Sequence, residues 1–95
     1  MSTQAIINTG IYTIVDVRST TEFQSGSIDG SQNIPLPELA TKIDEIKALQ
    51  PPLILCCAMG VRSGKAQEYL SALGIQCVNG GGWLEVNALL EIPKG

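Results

Sequence analysis

Histidine is absent from this sequence. Its absence removes every Cys–His and Ser–His catalytic pair, so a nucleophile in this chain has to be activated by backbone dipoles or by cations. Metal chemistry is also poorly served. The 3 cysteines are Cys56, Cys57 and Cys77, and adjacent thiols lack the two-residue separation of a zinc knuckle. No metal site and no cofactor are expected. Positive charge is scarce as well: 6 Lys and Arg stand against 9 Asp and Glu, the net charge is −3, and no basic cluster forms. A nucleic-acid partner would need Lys and Arg gathered on one face, so none is expected. No stretch approaches the roughly 18 apolar residues of a membrane span, and "MSTQAIINTG" has no cationic segment followed by an apolar run of signal-peptide length. The expectation is a cytoplasmic chain without a membrane partner. An odd number of thiols without a secretion signal argues against a disulfide framework.

What remains is a chain of 95 residues with 44% apolar and 16% charged content, no repeat and no low-complexity tract. Its length predicts a single domain over residues 1–95 with a small core, since such a chain buries only roughly 60–65 % of its unfolded surface. "IYTIVDV" (11–17) is β-branched and almost continuously apolar, as suits a strand covered on both faces. Ser19 with Glu22 three residues on fits a capping box that starts a short helix stopped at Gly26. "SQNIPL" predicts a short strand ended by Pro35. Leu36, Leu39, Ile43, Ile46 and Leu49 recur at helical spacing and predict one amphipathic helix closed by Pro51-Pro52. "LILCC" predicts a second buried strand. A helix marked by Ala66, Tyr69, Leu70 and Leu73 follows, with Gly74 as its C-terminal cap. "IQCV" predicts a strand with Cys77 as a small buried hydrophobe, "NGGG" a loop, and "WLEVNALLE" a final helix. Alternating strands and helices define an α/β fold with a central parallel sheet and helices on both faces.

In such sheets ligands sit beyond the carboxyl ends of the strands, and "CCAMGVRSG" (56–64) lies at one such end. A thiol there, followed by a short loop and a helix N-terminus, faces backbone N–H groups without intrahelical partners. That environment favours an anion and lowers the pKa of a thiol. Gly60 supplies the dihedrals that let successive amides turn inward. Arg62 and Lys65 add cations where the helix dipole disfavours them, a cost that a bound anion would offset. The loop leaves its own register open. Counted from Cys57, six residues reach Arg62 and form a tight ring; counted from Cys56, the loop is one residue longer and could enclose a tetrahedral phosphate.

Elements on both sides of the loop bear on that choice. "IVDVRSTTEFQSGSIDGSQNIPL", then "LILCCAMGVRSGKAQEYLSALG" and "VNGGGW", resemble the single-domain rhodanese family of sulfurtransferases from about Ile14 to Trp83. The resemblance is carried by Asp16 to Arg18, Glu22-Phe23, the turn Gly26 to Gly30, Asn33-Ile34-Pro35 and the loop Cys57 to Arg62. It implies a rhodanese-like fold and a catalytic Cys57 that takes the outer sulfur of a small anion such as thiosulfate. The resulting persulfide passes its sulfur to cyanide, a thiol or a thiol-bearing protein. The loop residues Ala58, Met59, Gly60, Val61 and Arg62, with Lys65, would bind substrate, Arg62 and Lys65 drawing the sulfonate end. Asp16, Arg18 and Glu22 would support the site by fixing the strand-to-helix turn, with Glu22 as a partner for Arg18. Trp83 would plug the core beside the loop.

Two departures from the family pattern stand out. Ser27 occupies a turn position usually held by histidine, and Ala58 and Met59 are uncharged where the best-known thiosulfate enzymes carry cations. A protein-bound persulfide is therefore the expected donor. Two other functions remain in view: a cysteine-dependent phosphatase using Cys56, and a noncatalytic rhodanese-like interaction module. The first lacks the histidine that usually precedes such a cysteine, Leu55 standing there instead. Modules of the second kind usually lose the cysteine that this chain keeps.

Overall fold

The computed structural model describes residues 2–93. In chain order the elements are α1 (Thr3–Thr9), β1 (Thr13–Asp16), α2 (Thr20–Gln24), β2 (Gln32–Asn33), a 3₁₀ helix (Leu36–Thr41), α3 (Ile43–Lys47), β3 (Leu53–Cys57), α4 (Val61–Ala72), β4 (Cys77–Gly82) and α5 (Trp83–Leu90). The sheet has 4 strands in the order β2-β1-β3-β4, and every pairing is parallel. β3 lies inside it, and each of its residues is at most 1% exposed. Such a strand has to be apolar on both faces, which explains the unbroken run "LILCC".

Side-chain alternation along β3 divides the core. Leu53, Leu55 and Cys57 join Leu39 of the 3₁₀ helix, Ile46 of α3, and Ala66 and Leu70 of α4 on one face. Ile54 and Cys56 join Ile6 and Ile7 of α1 and Val86 of α5 on the other. Helices therefore cover both faces, as the alternating pattern predicts. The adjacent cysteines end up on opposite sides of the sheet.

Three local expectations are corrected. The stripe from Leu36 to Leu49 packs as one apolar face, but the backbone is broken into a 3₁₀ helix and α3. Pro37 stands near the start of the first piece, and Lys42, at φ −123°, separates the two. "NGGG" is strand rather than loop: β4 runs through it to Gly82, slipping by one residue against β3 between Leu55 and Cys56. Side-chain propensity disfavours glycine in strands, and close packing overrides it here. Cys77 is half-buried, and Tyr69 and Leu73, marked as helix-face residues, are 41% and 44% exposed. α1 is not expected from the sequence. Ser2 caps it by accepting from the Ala5 amide, and Gly10 ends it at φ 74°. No helix among the described residues is long and apolar enough to cross a membrane.

Candidate active site

The carboxyl end of β3 delivers Cys57 to the start of α4, and the link between them is only Ala58, Met59 and Gly60. Gly60 makes so short a turn possible. It occupies the left-handed region at φ 102°, and a Cβ there would stand 3.3 Å from the Gly81 Cα. A Cβ at Gly82 would meet the Ala58 carbonyl oxygen at 2.8 Å. The glycines of β4 thus let the loop lie directly on the neighbouring strand.

Two amides and a hydroxyl converge on the Cys57 sulfur. The Gly60 amide donates to Sγ at 3.0 Å and the Ser63 amide at 3.4 Å, while Ser63 Oγ lies 3.3 Å away. Burial pushes the Cys57 thiol up, but hydrogen bonds from the Ser63 hydroxyl and from the Ser63, Gly60 and Met59 amides more than offset this, holding it below the ordinary thiol value. Cys56 is the opposite case. Burial, with the nearby Asp16 and Cys57 charges, pushes its thiol up to about 12, although Arg18 pulls the other way. Of the two adjacent thiols, Cys57 is the more readily ionised.

Ser63 belongs to a further chain of contacts. Its hydroxyl lies 2.7 Å from Asn79 Oδ1, which also accepts from the Gly81 amide at 3.0 Å, while Asn79 Nδ2 donates to the Gly60 carbonyl at 3.0 Å. These partners fix the orientation of the Asn79 amide. Neither Ser63 nor Asn79 is among the expected sulfur contacts. The available signal is that Ser63 lies in the first turn of the helix directly after the loop.

Arg62 reaches across to α2. Its Nη1 and Nη2 donate to Glu22 Oε1 at 2.6 Å and Oε2 at 2.9 Å, a bidentate pair. Glu22 also accepts from the Ser19 amide at 3.1 Å and closes the expected capping box. Arg62, with the Ser19 bonds adding to it, holds the Glu22 carboxyl down to about 2. The carboxylate partner of Arg62 is therefore the residue expected to pair with Arg18. Arg18 instead pairs with Asp16, its Nη2 donating to Oδ2 at 2.7 Å and its Nε to Oδ1 at 3.0 Å. Both are buried on the Cys56 side of the sheet. Arg18 Nη2 donates in addition to the Gly26 carbonyl at 2.7 Å, and the Trp83 ring covers its guanidinium at 4.9 Å. Trp83 thus caps an ion pair that braces the β1–α2 turn.

Ala58, Met59 and Val61 are exposed at the mouth, Met59 by 85% and Val61 by 69%. Lys65 is exposed on α4 and makes no hydrogen bond or ion pair among the described residues. No cluster of three or more potential metal-ligating side chains occurs among the described residues.

A parallel sheet whose inner strand ends in an amide-ringed thiol defines a class of fold and site that comparison with known proteins makes specific. The rhodanese-like domain family model matches residues 2–88, and the chain belongs to that family. It is 35% identical to the thiosulfate sulfurtransferase GlpE of Shewanella oneidensis, over 79% of this chain and 78% of that protein. An uncharacterized Bacillus subtilis protein, YqhL, is 41% identical over 61 residues. That match takes in 64% of this chain and 48% of YqhL, about half its length. Among solved structures, a rhodanese-related protein from Thermoplasma volcanium superposes with a TM-score of 0.77 at 33% identity, covering 98% of this chain and 93% of that one.

Proposed function

We propose that the chain is a sulfurtransferase that carries sulfane sulfur as a persulfide on Cys57. In the first half-reaction the Cys57 thiolate attacks the outer sulfur of a small donor. A new S–S bond forms on Cys57, the donor's own S–S bond breaks, and its electron pair leaves with the remaining fragment as sulfite or a thiolate. The Gly60 and Ser63 amides, which donate to Cys57 Sγ, would lie beside the charge that a persulfide carries, much as an oxyanion hole receives developing charge. In the second half-reaction an acceptor nucleophile, cyanide or the thiolate of a small molecule or protein, attacks that terminal sulfur. Cys57 leaves as a thiolate and the ring of donors receives it again.

The observation that carries this assignment is the convergence of the Gly60 amide, the Ser63 amide and the Ser63 hydroxyl on Cys57 alone. Cys56 faces α1 and α5 across the sheet, with a thiol pushed up to about 12. Intact-protein mass spectrometry after incubation with donor is the direct test. Wild type and Cys56→Ser gain one sulfur, which cyanide removes; Cys57→Ser gains none. Aryl-phosphate hydrolysis that survives Cys57→Ser but disappears with Cys56→Ser would overturn the assignment in favour of a phosphatase. An unchanged mass in folded wild-type protein would favour an interaction module.

A further inference from the structure

We propose that Glu22 sets the donor preference of this site: by occupying Arg62 it selects thiol persulfides over thiosulfate. The inference rests on the sulfur-transfer assignment above and adds a substrate class to it. Both donors give the same product on Cys57, but their charge differs. With thiosulfate the Cys57 thiolate approaches a dianion, the sulfane S–S bond breaks, and sulfite leaves as a dianion. With a persulfide R–S–SH the thiolate approaches a neutral or singly charged molecule and R–S⁻ leaves with the electron pair, the proton staying on the transferred sulfur or passing to water. Amides at the sulfur serve both cases equally. The difference falls on the outer fragment, which needs a cation only when it is a sulfonate.

That cation is already engaged. Arg62 is the charged residue in the first turn of α4, and both its terminal nitrogens are on the Glu22 carboxylate at 2.6 and 2.9 Å. The carboxylate is not free to swing aside, because the Ser19 amide and hydroxyl donate to the same Oε1 at 3.1 and 3.0 Å. It stays ionised at any working pH. The remaining mouth residues, Ala58, Met59 and Val61, are exposed and uncharged. On the other side of the loop a second carboxylate, Glu85, accepts from the Gly82 amide at 3.1 Å. A dianion entering here finds Arg62 neutralised by Glu22, and the cation of α4 without a partner among the described residues is Lys65, which is exposed, whereas the organic part of a thiol persulfide meets an uncharged rim of its own polarity.

Glu22→Gln is the informative variant, since a glutamine oxygen can still accept from Ser19 and preserve the helix cap while the charge is removed. Steady-state kcat/KM is measured with thiosulfate and with 2-hydroxyethyl persulfide, whose organic part is uncharged, using the same acceptor, and compared as a ratio. In Glu22→Gln the ratio of thiosulfate to persulfide rises about tenfold, equivalent to about 1.4 kcal/mol. An unchanged or lower ratio overturns the proposal and leaves Glu22 as a purely structural tie. Arg62→Gln supplies the second arm. Made in the Glu22→Gln background, where it strands no carboxylate, it returns the ratio to within about twofold of the wild type; a ratio that stays about tenfold up would mean that the gain does not come from a freed Arg62, and the proposal fails. Folded wild-type protein that takes sulfur from neither donor removes the sulfur-transfer assignment itself, an outcome distinct from transfer with the wrong preference.

Discussion

Ser63 has one hydroxyl proton and two neighbours able to accept it, Asn79 Oδ1 at 2.7 Å and Cys57 Sγ at 3.3 Å. While Cys57 is a thiol, the proton rests with Asn79 and the S–H can donate to Ser63 Oγ. Ionisation reverses the arrangement: the hydroxyl turns to the thiolate, and Asn79 Oδ1 keeps the Gly81 amide. Losing this donor raises the Cys57 pKa. For Ser63→Ala the midpoint of iodoacetamide alkylation against pH moves upward from the wild-type value, and sulfur transfer near pH 7 falls about tenfold, the scale of one charge-assisted hydrogen bond of about 1.5 kcal/mol. An unmoved midpoint would mean that the amides alone hold the thiolate. At this scale the sequence was legible where chemistry is unusual and mute where it is common. A cysteine pair before a glycine loop stands out; which of many serines lies against the sulfur depends on a helix phase that is set only when the loop packs on β4. The pairing of charges was hidden for the same reason, because Arg18 and Arg62 are equally plausible partners for Glu22 until α2 and α4 are placed side by side.

The β1–α2 turn is held by a buried ion pair, not by the capping box alone. Asp16 is 0% and Arg18 5% exposed, and a buried pair is costly to break because the remaining charge loses its partner. Asp16→Ala strands the Arg18 guanidinium beneath Trp83 and costs about 3–5 kcal/mol in urea unfolding. A cost below about 1 kcal/mol would show that the Gly26 carbonyl and the Trp83 face suffice. Among elements, those governed by local rules were the readable ones: the capping box of α2, the apolar run of β3 and the start of α5 at Trp83. The 3₁₀ helix and the glycine stretch of β4 were not. Apolar spacing near 3.6 does not report a backbone broken at Lys42, and a strand of glycines is explained by what lies against it, the Ala58 carbonyl in the case of Gly82.

Across the whole molecule, the Glu22–Arg62 pair ties α2 to α4 over a separation of 40 residues. The folded Glu22 carboxyl sits near 2 against an ordinary value of 4.5. A depressed carboxyl contributes stability that is fully present above the ordinary value and is lost as pH falls through the folded one. Wild-type protein therefore loses urea resistance between about pH 5 and pH 2, and Glu22→Gln loses less over the same range; identical acid profiles would remove this tie from the account. The placement of the 3 cysteines has a different bearing. Cys56 and Cys57 are neighbours in the chain but lie on opposite faces of β3, and Cys77 pairs in register with Leu53 at the other end of that strand, about 13 Å from Cys57 at the usual strand rise. No thiol of this chain can therefore resolve a sulfur carried on Cys57, nor trap an oxidised Cys57 as an internal disulfide. In the proposed sulfur transfer the loaded form would be a dead end until a second molecule arrives, its lifetime set by the supply of acceptor, and under peroxide an oxidised Cys57 would need a thiol from outside this chain to reduce it before irreversible oxidation.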